Sequence, residues 1–585
     1  MADDKKAVKS KSKRLFVAAI DFGTTFSGYA FSNKDDWRKV HTNNWSGGSL
    51  ISHKAPTALL LDNNKKFVAF GYEAEDKYSQ LAQEEEHEEY YFFHRFKMVL
   101  HNKKIGWKTM IEENCGKEME ALNVFRHCVE FLKDSLFEQI KNSFPEVKMT
   151  DLDYVLTVPA IWDDVSKQFM REAATKAGIK KEQLTIALEP EAASIYCQHL
   201  IMDHPGDLSQ SSYLGVVSKG TKYMVVDLGG GTADITVHQK CEDNTLEEVQ
   251  PASGGPWGGK SIDDNFEQFL KDIIGPKKYE NFKENNMEDY IDLFRSFETK
   301  KRTINPDKLE EGNTNMTVPV GFTSIVKGGK KGMETAISQS KHAETVTFEK
   351  GKFKWKNKDF AKFFDETTKH ILDHIEELFQ DNDVKDVKTI LMVGGFSECK
   401  LVQAAIKSKF KNKKVVVPED CGLAVLKGAV YFGHVPDAIS RRAARYTYGI
   451  QSWPEWNSTK HPEGKRVKIG DTHRCRDVFF KYVTKGQHIT PGYRRSQIFQ
   501  ALKPEEKCLE CAIYISDKKD PQYIDEDGCR RLGVLRIDLP NVRTGATLEL
   551  EETMVFGETE VRVQARDIYT NQQQEVTFDL MKEND

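Results

Sequence analysis

Val17-Ala-Ala-Ile-Asp-Phe-Gly-Thr-Thr25 recurs in outline as Met224-Val-Val-Asp-Leu-Gly-Gly-Gly-Thr232. Each run is an apolar strand that ends in Asp-x-Gly and turns through small and hydroxyl residues. Glycine permits the turn and a close approach, and successive backbone N–H groups then point to one side as a nest for phosphate. Gly23, Thr24 and Thr25 supply one nest; Gly229, Gly230, Gly231 and Thr232 supply the other. Facing each other, they would clamp one polyphosphate. Asp21 and Asp227 at the strand ends, with Asp234 beyond the second turn, would then face a metal that keeps most of its waters. Alone, either run reads equally well as a tight hairpin with a capping Asp. Their recurrence argues for two lobes of related architecture. Neither is a P-loop, because the Gly-Lys-Ser/Thr ending is missing.

Outward from this pair, strand-like and helix-like runs alternate through the first three quarters of the chain, which predicts α/β layers. Leu15 to Ile20, Tyr154 to Val158, Tyr223 to Val226 and Thr389 to Val393 read as short buried strands. Leu122, Phe125, Val129, Leu132, Leu136 and Ile140 have helical spacing on one apolar stripe, as do Phe360, Phe364, Ile371, Ile375 and Leu378. After about Gly433 short alternating strands dominate, such as Val534 to Asp538 and Thr559 to Gln564. The expected organisation is a basic disordered tail over 1–14, a phosphate-binding α/β unit of two lobes over 15–433, a linker over 434–445 and a β-sandwich-like unit over 446–585.

With 585 residues and about 150 per domain, several packed units are expected. Hydrophobic residues at 39% and charged ones at 30%, with acids slightly in excess, fit a globular chain and argue against nucleic acid as partner. No run reaches the ~20 apolar residues of a membrane span. Ten cysteines and no signal-like stretch predict a reducing compartment, cytoplasmic with the nucleus as the alternative. Cys508 and Cys511 form a Cys-x-x-Cys, but the alternation Leu509, Cys511, Ile513, Ile515 puts the two cysteines on opposite faces of a strand, against zinc.

Three weaker signals complete the reading. Gly394-Gly395 follows a strand where a base or ribose would approach the backbone. Gly258-Gly259 offers another turn. Glu298, Lys301, Arg302 and Asn305 share one helical face, which by itself reads as a solvated ion-pair face.

Asp21-Phe-Gly-Thr-Thr-Phe-Ser-Gly28, Val158-Pro-Ala-Ile-Trp162, Leu188-Glu-Pro-Glu-Ala-Ala193, Asp227-Leu-Gly-Gly-Gly-Thr-Ala-Asp234 and Val393-Gly-Gly-Phe-Ser397 resemble, in order and spacing, the motifs of the seventy-kilodalton heat-shock proteins. Phe22, Phe96-Lys97-Met98 and Gly428-Ala-Val-Tyr-Phe-Gly433 resemble most the divergent branch called heat shock 70 kDa protein 12. The resemblance covers about residues 15–435. It implies an actin-like ATPase fold that takes ATP or ADP with Mg²⁺. Asp21 and Asp227, with Glu189, would hold the hydrated Mg²⁺, and Asp234 and Glu189 would orient the attacking water. Thr24, Thr25, Gly230, Gly231, Thr232, Gly258 and Gly259 would bind phosphates. Glu298, Lys301 and Arg302 would lie over the adenosine, with Asn305 in place of a serine and Gly394, Gly395 and Phe396 beneath.

The departures are specific. The γ-phosphate lysine of the family has two candidates here, Arg95 and Lys97. Glu398 replaces the arginine that stacks on adenine, Gly422 an aspartate and Lys260 a glutamate. Leu532 to Pro540 and Val561 to Asp567 resemble strands of the family's peptide-binding sandwich, with no helical lid after them.

The leading expectation is a slow ATPase of chaperone type whose β unit takes polypeptide clients. The alternatives are a nucleotide-gated scaffold or sensor with negligible turnover, and a sugar or acetate kinase, which the β unit and Leu188-Glu-Pro oppose. The linker, with Arg441, Arg442 and Arg445 but no apolar side chains to dock, predicts little ATP-driven peptide release.

Overall fold

The computed structural model describes residues 10–47, 50–102, 104–203, 219–500, 508–538, 549–556, 562–568, 571, 573–576 and 580–581. Both Asp-x-Gly runs fold as hairpins. β1 (Phe16–Phe22) pairs antiparallel with β2 (Phe26–Asn33), while β3 (Leu152–Val158) and β4 (Leu184–Leu188) extend the sheet in parallel from the β1 side. β5 (Lys222–Leu228) pairs antiparallel with β6 (Ala233–Lys240), followed by β7 (Leu246–Gly255); β8 (Thr389–Val393) and β9 (Lys414–Val416) extend it in parallel from the β5 side. The two sheets therefore repeat one topology, two parallel strands beside a hairpin.

Parallel strands covered on both faces read as continuous apolar runs, and β1 and β8 are buried throughout. α1 (Ala121–Ser143) buries its whole predicted stripe against the first sheet. The second stripe is interrupted: Phe360 and Phe364 lie on short turns before the helix that carries Ile371 and Ile375. α2 (Glu189–Asp203) and α5 (Ala424–His434) cross between the sheets and share a buried cluster with both. A Cβ on Gly428 would collide with the Ala192 carbonyl, so the two helices touch backbone to backbone. α3 (Gly259–Ile274) and α4 (Met287–Thr303) belong to the second lobe's core.

Two expectations about the ends of the first unit are corrected. Residues 1–9 lie outside the described residues, but Ser10 to Arg14 are held: the Lys11 N–H donates to the His434 carbonyl, and Arg14 pairs with Asp153. The segment read as a linker contributes β10 (Ile439–Ala443), which joins the second lobe's sheet in parallel beside β7. Beyond it the described residues form two antiparallel four-stranded sheets. Val478–Val483, Thr447–Ser452, Cys508–Ser516 and Cys529–Asp538 make one; Tyr493–Gln500, Glu549–Phe556, Arg562–Asp567 and Gln573–Val576 make the other. Ile450, Tyr482 and Ile513 of the first sheet and Leu550, Met554 and Val563 of the second share one apolar cluster. Cys508 and Cys511 pair with Asp538 and Leu535 along one continuous strand, three positions apart; their side chains lie outside the described residues.

Candidate functional site

Four carboxyls converge where the two hairpins meet. Asp21, at the end of β1, accepts hydrogen bonds from the Lys54 ammonium at 2.6 Å and from the Thr157 hydroxyl at 2.8 Å. Burial pushes the Asp21 carboxyl up, but Lys54, with Lys97 and Thr157, outweighs it and holds the group below its ordinary value. Glu189, the first residue of α2, accepts from Lys97 Nζ at 3.2 Å. Burial raises the Glu189 carboxyl to about 7, with Asp21 and Asp234 adding to the effect and Lys97 opposing it. Asp234 accepts from the Ile161 N–H at 2.9 Å, and burial raises it too. Asp227 is held well above the ordinary carboxylate range, by burial and then by Glu189, Asp234 and Asp21.

The fit to a divalent cation follows from these observations. Four carboxyls face two ammonium groups, and Asp227 Oδ2 is buried with no hydrogen-bond partner. A cation of two charges would relieve both the repulsion and the orphaned oxygen. Among the described residues no three carboxylate, imidazole or thiolate groups stand close enough to ligate one ion directly, so an ion here would be held through its waters.

The turns face each other in contact. A Cβ at Gly230 would strike the Thr25 side chain, and one at Gly231 would strike Thr24 and Met98. Gly258 is packed as tightly, 2.5 Å from the Gly231 carbonyl carbon by the same measure. The N–H groups of Gly258, Gly259 and Lys260 donate to the carbonyls of Gly231, Gly229 and Gly230 at 3.2, 3.1 and 2.7 Å. Gly229 N–H bonds the Thr232 carbonyl, and Gly23 N–H bonds the Ser27 hydroxyl. Several donors expected to face phosphate therefore bond within the protein. Gly394 is the position where glycine is obligatory: its φ is 85°, and a Cβ would collide with Asp227 and sit 2.5 Å from the Leu228 carbonyl oxygen.

The two γ-phosphate candidates part company. Lys97 is buried against Glu189, with its ammonium 4.8 Å from the centre of the Trp162 ring. Arg95 turns away in a left-handed conformation, φ 56°, and pairs with Asp263 of α3 at 2.7 Å. It heads a chain of charges across the cleft: Asp263 bonds Lys301 at 2.7 Å, Lys301 pairs with Glu298, and Glu298 accepts from Arg302 Nε at 2.7 Å. Burial opposes ionisation of Glu298, yet Lys301 and Arg302 hold it down at about 2. The Arg302 guanidinium lies 4.8 Å from the Phe26 ring centre, so this chain joins the lobes. Phe396 is buried beside Gly259, and Gly395 faces open space. Glu398 occupies the room left by the absent Cβ of Gly422. Asn305 departs from the expectation of a shared helical face, because α4 ends at Thr303 and Asn305 caps the next turn by accepting from the Asp307 N–H.

Sequence reasoning missed Lys54, which lies 33 residues from Asp21 and meets it through the short strand Ala55–Pro56 that pairs with β2. It also missed the role of Glu191. Two residues beyond Glu189, Glu191 takes a buried double hydrogen bond from Arg442 of β10, 2.7 and 2.8 Å. Arg445 reaches the carbonyls of Ile161 and Trp162, the residues whose other groups meet Asp234 and Lys97. The expectation that this segment brings no apolar side chains to dock is thus overturned: it docks by strand pairing, by buried charge and by Ile439 and Ala443, both buried, with Ile439 in the cluster the two sheets share.

The comparisons agree with this geometry. The family model described as Hsp70 protein matches residues 82–442. Heat shock 70 kDa protein 12A of Mus musculus is 32% identical, over 99% of this chain and 93% of the relative. The Homo sapiens 12A protein gives the same figures, and heat shock 70 kDa protein 12B of Homo sapiens is 33% identical over 97% of this chain and 91% of the relative. With a nearly full-length match at that identity, on two Asp-x-Gly hairpins that meet around four carboxyls, this chain belongs to the Hsp70 family.

Proposed function

We propose that this Hsp70-like ATP-binding protein hydrolyses ATP slowly, with Lys97 and Glu189 as the reacting pair. The observation that carries the proposal is the convergence of Lys97 and Glu189 with Asp21, Asp227 and Asp234 behind two facing turns. Lys97 would neutralise the terminal phosphate, and Glu189, half ionised near pH 7, would take the proton of an attacking water held by Asp234. Mg²⁺, bound through the carboxylates' water shell, would offset the phosphate charge. Arg95 belongs in this reading to the adenosine side, where it ties the lobes together through Asp263. The chain of Glu298, Lys301 and Arg302 would close over the adenosine, with Gly395 and Phe396 beneath. The C-terminal sheets would hold extended polypeptide by strand-like hydrogen bonds.

Internal bonding of the amides at Gly258 to Lys260 favours a second reading, a nucleotide-gated scaffold without turnover. Equilibrium titration with ATP and Mg²⁺, followed by single-turnover hydrolysis, separates the two. Binding with release of phosphate that Asp21→Ala abolishes supports the ATPase; binding without hydrolysis supports the scaffold. No binding at millimolar ATP in folded protein overturns both.

A further inference from the structure

Residues 327–358 carry nine lysines against three glutamates in a chain whose net charge is −5. The strand Lys352–Lys356 is the centre of a three-stranded sheet, flanked by Asn313–Thr317 and Val346–Glu349. Phe353 and Trp355 point into the second lobe's core, so the period of two forces Lys352, Lys354 and Lys356 onto the outer face. Their neighbours on that face are Asn313, Asn315, Thr317, Thr347 and Glu349. The face carries no exposed aromatic ring on which a nucleic-acid base would stack.

Most of this charge is uncompensated. Lys354 pairs with Glu349 at 2.8 Å and Lys358 with Glu310 at 3.2 Å. Among the described residues, Lys327, Lys331, Lys350, Lys352 and Lys356 have no carboxylate within ion-pair reach. The hydrogen bond from Lys354, with the charges of Lys330 and Lys350, holds the Glu349 carboxyl below its ordinary value, so three lysines act on one glutamate. At the same end of the sheet stands Val320, 80% exposed, two residues after Val318, whose N–H bonds the Gly351 carbonyl at 2.9 Å. An exposed apolar side chain near lysines that mostly lack an ion-pair partner has the chemistry of a surface that meets an anionic lipid leaflet.

We propose that this outer face, Lys350, Lys352, Lys354 and Lys356 with the exposed Val320 at the same end of the sheet, docks the second lobe on membranes rich in acidic headgroups. Ammonium groups are point charges suited to a diffuse anionic surface, whereas planar phosphate recognition calls for arginine, which this segment lacks. The proposal is independent of the nucleotide reading, since none of these residues lines the cleft.

The test uses the full chain and vesicles of phosphatidylcholine with 30% phosphatidylserine, against pure phosphatidylcholine, by co-sedimentation at low and high salt. Binding to the acidic vesicles only, lost at high salt, is expected. Each reversal among Lys352→Glu, Lys354→Glu and Lys356→Glu should weaken it by more than the roughly fivefold that loss of one positive charge costs, and Val320→Asp should weaken it further. ATP titration of the triple variant reports folding and should match the parent. The idea is overturned if the triple variant binds as the parent does, or if the acidic vesicles do not bind at all. Loss of binding only when Lys5, Lys6 and Lys9 are changed would assign it to the N-terminal segment instead. Preference for polyanions such as heparin or RNA over vesicles would identify a polymer partner and equally reject the lipid.

Discussion

A carboxylate buried beside three others cannot ionise without help, and this governs the chemistry at the scale of the residue. Glu189 is raised to about 7 because burial and its acidic neighbours outweigh Lys97. As the proposed base it must be ionised, so kcat/KM for ATP should climb through about pH 7 and level off above it. Steady-state profiles of the parent and of Glu189→Gln check this; the variant should lose the step. Lys97 and Arg95 lie two residues apart yet serve different networks. Lys97→Ala should lower kcat by about a hundredfold to a thousandfold, of the order seen when one oxyanion donor is removed. Arg95→Ala should instead weaken nucleotide affinity with little change in kcat, and separate titration and turnover measurements distinguish the two.

At the scale of the element, the turns and the connecting strand hold these residues in place. Gly394 follows β8 at φ 85° against the Asp227 carboxyl group. Gly394→Ala should therefore displace Asp227, and calorimetric titration should show loss of Mg²⁺-dependent nucleotide binding. β10 is held by the buried Arg442 to Glu191 pair. Removing one member leaves an uncompensated buried charge, so Arg442→Ala should cost about 3–5 kcal/mol in denaturant unfolding. Replacing both residues by methionine should recover most of that loss.

Across the whole molecule, the first turn of α2 carries Glu189 to the cleft and Glu191 to the strand that leads into the C-terminal sheets. The same junction buries Glu248, which accepts from the Ala443 N–H at 3.0 Å. Burial, with Glu191 adding, raises its carboxyl to about 8. The folded state keeps a proton that the unfolded chain releases above about pH 4.5. Stability from this group is therefore present at low pH and falls as pH rises towards about 8. Melting temperatures of the parent and Glu248→Gln should diverge between pH 6 and pH 8.5, with the variant the less sensitive.

Apolar runs ending in Asp-x-Gly were enough to read two lobes, since strand burial and glycine turns are local properties written in consecutive residues. The strand Thr389 to Val393 and the stripe of α1 were legible for the same reason. The motif carboxylates could be named because each stands at a strand end or a turn. Lys54, Glu191 and Glu248 could not, since nothing near them in sequence marks their partners; Asp21, Arg442 and Ala443 reach them only through the fold. Nor could spacing choose between Arg95 and Lys97, because a left-handed residue and a tight turn send neighbouring side chains to opposite sides of a cleft. The sequence by itself determined the layers and the glycine turns at the strand ends. Only the tertiary structure decided which charges are buried together, because desolvation and Coulomb coupling depend on distance through space and not along the chain.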